Sequence, residues 1–139
     1  DGPGFLLESV DHSGRWDRWS FLGRNPLARI VSRSGDLTVE GSLPQSVELD
    51  QGILAAVESL LEVYRAPRLD DLPLHSGLVG YLGYDVVREV ERLPDVPADD
   101  RGWPDAVLMV AGDVVAFDHW SQRAILISNV IVPPRRFGG

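Results

Sequence analysis

The 139-residue chain has no cysteine and no lysine: all thirteen of its basic residues are arginine. Without thiols there is no disulfide framework, no thiolate metal ligand and no nucleophilic sulfur. A reducing compartment fits that absence, and the expected location is the cytoplasm. Without lysine, Schiff-base chemistry is excluded; the arginine bias itself reads as the coding habit of a GC-rich genome. Positive charge is scarce overall, since 21 acidic residues against those 13 arginines leave a net charge of −8. That balance argues against nucleic acid or an anionic membrane surface as a partner. No apolar run approaches the roughly 20 residues a membrane helix needs, and no signal-peptide pattern opens the chain. Internal repeats and low-complexity segments are also absent. The chain starts Asp1-Gly2-Pro3-Gly4, without Met, and runs straight into Phe5-Leu6-Leu7. The expectation is a piece of something longer.

What is present is enough for one ordinary soluble core, with 44% hydrophobic and 24% charged residues. The most distinctive stretch is Gly77-Leu78-Val79-Gly80-Tyr81-Leu82-Gly83-Tyr84-Asp85. It lacks the G-x-G-x-x-G core and no Gly-Lys-Ser/Thr follows, so it is not a phosphate loop. Glycine inside a strand-like run marks a bulge or a close backbone neighbour. The pattern therefore predicts a tightly packed strand, Leu78 to Leu82, turning into a helix over Val86 to Leu93. Elsewhere the spacing predicts a short buried strand over Phe5 to Val10 and a second over Arg18 to Gly23, with Trp19 and Phe21 on one face. A hairpin is expected from Leu27 to Ser32 and Leu37 to Gly41 around Arg33-Ser34-Gly35-Asp36. Ile53, Leu54, Val57, Leu60, Leu61 and Tyr64 follow helical spacing, so a helix is expected between Asp50 and Arg65, with Asp50 as N-cap and Pro67 as stop. Proline-rich Pro94 to Pro104 reads as a surface loop. Two apolar runs, Ala106 to Phe117 and Ala124 to Val132, flank Asp118–Arg123 and predict a long antiparallel hairpin. Many strands, few helices and hairpin connections give an α+β class built on an antiparallel sheet or sandwich. Residues 1–132 form the expected domain, with 133–139 a linker or tail.

Little of this chemistry is catalytic. The carboxylate pairs Asp70-Asp71, Asp99-Asp100 and Glu89/Glu91 sit in polar or proline-flanked settings and read as solvated charge, because burial is what tunes a carboxylate for acid–base work. His12, His75 and His119 lie far apart in turns, without metal-pair spacing. No G-x-S-x-G elbow presents a serine. No catalytic residue and no metal ligand is expected in this chain. Glu8-Ser9 stands apart, because a carboxylate and a hydroxyl inside an apolar strand carry a desolvation cost unless paired. Either Arg15, Arg18 or Arg29 forms an internal ion pair, or a ligand ammonium is held by Glu8 and oriented by Ser9. Trp16, Trp19 and Phe21 are core residues in the first case and the wall of an aromatic ligand in the second.

Two segments resemble the N-terminal portion of anthranilate synthase component I. They are Phe5-Leu6-Leu7-Glu8-Ser9 with Gly14-Arg15-Trp16 and Arg18-Trp19-Ser20-Phe21-Leu22-Gly23, and then Gly77 to Arg88. Order and spacing match from about Phe5 to Val132. The resemblance implies a lyase of tryptophan biosynthesis that converts chorismate to anthranilate and pyruvate, with ammonia from a glutamine amidotransferase subunit (component II) and with Mg²⁺. Chorismate and Mg²⁺ bind a larger C-terminal domain in that family, so this chain is expected to be its regulatory portion, inactive alone and free of cofactor. The resemblance further implies that feedback tryptophan sits between the two domains. It places Leu7, Glu8 and Ser9 in the tryptophan pocket, with Arg18, Trp19 and Ser20 on the neighbouring strand. The family often has a basic residue or tyrosine where Arg18 or Trp19 stands. The rival readings are aminodeoxychorismate synthase component I, a sibling acting on the same substrate, and a free-standing small-molecule-binding module.

Overall fold

A computed structural model describes residues 2–8, 18–43 and 46–132. Its elements in chain order are β1 (Gly4–Glu8), β2 (Trp19–Arg24), β3 (Ala28–Arg33), β4 (Asp36–Gly41), α1 (Ile53–Val63), β5 (Leu78–Leu82), a short 3₁₀ helix (Tyr84–Glu89), β6 (Ala106–Val110), β7 (Asp113–Asp118) and β8 (Arg123–Ser128). The strands make two antiparallel four-stranded sheets, one ordered β1-β2-β7-β8 and the other β4-β3-β6-β5. This is the α+β, mainly antiparallel architecture expected. The predicted linker, 133–139, lies outside the described residues, as do Ser9 to Asp17.

Local sequence accounts for the hairpins. Between β3 and β4, Ser34 and Gly35 both take positive φ, 51° and 87°, the backbone twist that suits a two-residue turn. The glycine-rich stretch packs as its composition implies. Gly80 on β5 lies opposite Leu108 on β6, and any Cβ there would collide with the Val107 carbonyl oxygen. Gly83 donates its N–H to the Asp105 carbonyl oxygen at 2.7 Å. The helix expected over Val86 to Leu93 is only the 3₁₀ turn Tyr84–Glu89. Its apolar spacing goes unused, since Val86 is buried but Val90 is exposed. Arg88 bonds Asp85 and the carbonyls of Leu93 and Asp95, closing the turn.

The long helix begins two residues later than expected, and Asp50 is not its cap. Gly52 takes that place at φ 94°, and its first amides are bound from a distance. Glu89 Oε1 accepts from Ile53 N at 2.9 Å and Oε2 from Leu54 N at 3.0 Å. A carboxylate is the favoured charge at a helix N-terminus. Glu89 is therefore a structural cap tying the 3₁₀ turn to α1, not the free surface charge its neighbours suggest. The predicted continuous strand Ala106 to Phe117 is also divided. β6 and β7 belong to different sheets, and the chain crosses at Ala111-Gly112. A side chain at Gly112 would strike the Asn25 carbonyl, where the β2-to-β3 connection crosses beside it. Asn25 Nδ2 donates to Asp113 Oδ2 at 2.8 Å across this neck.

Each sheet has its own core. Helix α1 buries Ile53 and Leu60 against Ile30 and Leu108 of the β4-β3-β6-β5 sheet. The other sheet buries Phe21, Val114 and Ala116 on one face, against Leu72 and Ala111, with Trp19 and Leu74 partly covered. Among the described residues its second face is uncovered. The row Leu6, Leu22, Val115 and Leu126 runs across all four strands in register, and Leu6 and Leu126 remain 60% and 81% exposed.

Candidate functional site

Strand alternation sorts the expected pocket residues onto opposite faces. Glu8 pairs with Ser20, Ser20 with Phe117 and Phe117 with Ala124, so these four share the open face. Leu7 pairs with Phe21 and Trp19 with Asp118, which puts Leu7 and Trp19 on the core face. Trp19 there stacks on Phe21 with ring centroids 6.0 Å apart. Ser9 lies outside the described residues. One expectation is corrected outright. β1 is not a buried strand but an edge strand, and Leu6, Leu7 and Glu8 are all exposed. Glu8 is exposed among the described residues, so the need for a buried partner does not arise from these residues alone.

Two of the three arginines considered as internal partners of Glu8 are engaged elsewhere. Arg29 pairs with Glu40 at 3.1 Å. Arg18 donates Nε and Nη2 to the two oxygens of Asp118, at 3.0 and 2.7 Å. Its guanidinium lies over the Trp19 ring at 4.9 Å and the Trp120 ring at 5.2 Å, a bidentate and cation–π arrangement that suits arginine and not lysine. Asp118 is 5% exposed. The Arg18 fork holds its carboxyl well below the usual carboxylate range, helped by Ser121 and by the Trp120 and Ser121 amides. The same bond raises Arg18 further. Both groups are fixed in their charged forms, which suits a clamp closing the end of the β7–β8 hairpin and not a proton donor.

On the open side of that clamp lies a contact the sequence did not announce. Ser20 Oγ sits 2.8 Å from His119 Nε2, and the His119 amide donates to the Arg18 carbonyl at 2.8 Å. Ser20 is 8% exposed although it stands on the uncovered face. Glu8, Ser20 and His119 thus form a polar corner beside the apolar row Leu6, Leu22 and Val115. The sequence alone places His119 in a turn. Its signal was its place directly after Asp118 at a strand end, where alternation throws consecutive side chains to opposite faces. Among the described residues no group of three or more His, Asp or Glu side chains is arranged to hold a metal ion. No described helix is long and apolar enough to cross a membrane. A separate cavity of about 450 Å³ opens between the end of α1 and the segment after β8, lined by Leu60, Tyr64, Val110 and Val130. The Tyr64 hydroxyl is buried without a partner among the described residues, and burial pushes its pKa up. Among the described residues, none of those expected in the pocket lines that cavity.

No protein-family model matches the chain. Named proteins do. It is 37% identical, over 93% of its length, to anthranilate synthase component 1 of Mycolicibacterium smegmatis. It is 33% identical over 92% to the protein of the same name from Acetivibrio thermocellus, and 36% identical over 98% to anthranilate synthase alpha subunit 2, chloroplastic, of Arabidopsis thaliana. Among solved structures it resembles anthranilate synthase component I from Streptococcus pneumoniae, with a TM-score of 0.64 and 25% identity over 90% of this chain. The chain spans 24 to 26% of the length of these proteins, and the part it matches is N-terminal.

Proposed function

We propose that this chain, a homologue of the N-terminal part of anthranilate synthase component 1 over about 93% of its length, is the regulatory portion of such an enzyme. The full enzyme converts chorismate and ammonia to anthranilate and pyruvate in the cytoplasm, with a glutamine amidotransferase subunit as ammonia source. The chorismate and Mg²⁺ sites belong to the remaining length of the relatives. This portion contributes to a feedback site for tryptophan and has no activity by itself.

The similarity along nearly the whole chain carries this reading, and the polar corner supports it. Free tryptophan offers an ammonium, a carboxylate and a flat apolar ring. Glu8 matches the first, and the adjoining leucine and valine row matches the last. Covering Glu8 with the remainder of the enzyme would supply the low dielectric in which such a charge pair is strong. An effector held between two domains shifts their arrangement by its difference in affinity for the two states. Arg18 and Trp19 then serve as support beneath the site, through the clamp on Asp118.

The test is inhibition of the full-length enzyme by tryptophan, with anthranilate formation as the readout. Glu8→Gln is expected to weaken inhibition by about tenfold or more, the scale of a lost charge-assisted hydrogen bond. An unchanged inhibition constant overturns the regulatory assignment, and a product other than anthranilate overturns the enzymatic one.

A further inference from the structure

A serine hydroxyl has one proton to give and two lone pairs to receive with. Ser20 Oγ is 2.8 Å from His119 Nε2. Across the strand, Glu8 is the register partner of Ser20 on the same face, which puts their Cβ atoms roughly 4.5–5.5 Å apart. When His119 carries its proton on Nδ1, Nε2 accepts from Ser20, and the lone pairs of Ser20 remain for a donor arriving beside Glu8. An ionised Glu8 donates nothing. Two acceptors then stand side by side, a carboxylate and a hydroxyl oxygen, and an alkylammonium with its three donors completes both. The nearby Arg18–Asp118 pair is self-compensated and competes for neither.

We infer that His119 is a positioning residue of the effector site. It holds Ser20 as an acceptor, so that Ser20 and Glu8 together make a two-point seat for the effector's ammonium. This rests on the tryptophan reading above and adds to it the residue that sets the direction of the serine hydrogen bond. Without the imidazole, the Ser20 hydroxyl is free to turn its proton onto Glu8. The two groups then satisfy each other and the seat is filled from within.

Binding by the full-length protein of two probes, L-tryptophan and indole-3-propionate, tests this. The second keeps the ring and carboxylate but lacks the ammonium. Ser20→Ala and His119→Leu are each expected to weaken tryptophan about tenfold, one hydrogen bond to a charged group. His119→Gln, whose amide oxygen can still accept from Ser20, is expected to stay within about threefold of the parent. Indole-3-propionate is expected to bind all four proteins alike. Equal losses for both probes, or tryptophan binding indifferent to His119→Leu, overturn the inference while the regulatory reading stands. If indole-3-propionate binds none of them, rescue by His119→Gln decides: recovery supports the seat, and no recovery overturns it. If the unsubstituted protein itself ignores tryptophan, the regulatory reading falls and this inference falls with it.

Discussion

The two sheets of this chain are built from the same kinds of residue and stand in opposite relation to solvent. The β4-β3-β6-β5 sheet is packed at its centre: α1 lies against it, Ile30 is fully buried and Leu60 is 1% exposed, and only at the β5 edge do Tyr81 and Leu82 stay half exposed. The β1-β2-β7-β8 sheet is finished on one face only, and its other face carries a leucine row in the open beside Glu8, Ser20 and His119. The helix-backed sheet is therefore the part whose central residues are explained by packing within the chain. The open sheet is the part whose residues ask for a covering partner, and the candidate site lies there. An apolar stripe of this extent with a polar corner marks an interaction surface more often than idle surface.

The sharpest way to break this contrast is to truncate one leucine of the helix that covers the finished sheet. Leu60→Ala removes a buried side chain from the α1 interface and is expected to cost about 2–5 kcal/mol, the range for buried Leu→Ala with incomplete collapse. Denaturant unfolding of the chain measures it. A cost under about 1 kcal/mol means that α1 is not the anchor of this sheet.

A smaller effect separates the real helix cap from the apparent one. Glu89→Ala leaves the Ile53 and Leu54 amides without their acceptor and is expected to cost about 0.5–2 kcal/mol, as lost N-caps do. Asp50→Ala should change stability by less than about 0.5 kcal/mol, because nothing in the helix start depends on it. Equal costs at the two positions overturn the assignment.

Those two positions also show what the sequence could and could not reveal. Apolar spacing located α1 and the glycine pattern located β5, because both signals lie within a few residues of the structure they specify. The Ser34-Gly35 turn was legible for the same reason. The cap at Glu89 was not, since it acts 36 residues away from Ile53 and its sequence neighbours are ordinary surface charges. The division of Ala106 to Phe117 was hidden too. Gly112 bends the chain because Asn25 passes beside it, which no local pattern records. In the site, Glu8 and Ser20 could be singled out from their motifs. That they share a face, while Leu7 and Trp19 share the other, follows from strand register. His119 was passed over because its partner Ser20 is 99 residues distant.

The clamp beneath the open face gives a difference in pH dependence. Asp118 has a folded pKa below its ordinary value. Its stabilisation is therefore present above the unfolded carboxyl value, near 3.9, and fades as pH falls through the lower folded one. The raised Arg18 acts only at extreme alkaline pH. Asp118→Asn is expected to lower stability at neutral pH and to flatten its fall below about pH 4. An unchanged acid slope means that Arg18 and Asp118 are not coupled in solution.

The smallest expected effect decides whether the face is open at all. Leu126 is 81% exposed, in the row that includes Leu6, Leu22 and Val115. If the row is bare in this chain, Leu126→Ser exchanges one solvated side chain for another, and stability should move by no more than about 0.5 kcal/mol. In the full-length protein the same substitution should cost more, because a leucine covered by a second domain loses roughly 1.5–3 kcal/mol of burial when made polar. The pair of measurements matters more than either one. A neutral result in both settings leaves the row uncovered everywhere and removes the argument that Glu8 is sheltered by the rest of the enzyme. A cost that emerges only at full length places the covering domain on this face, where Glu8 and Ser20 stand.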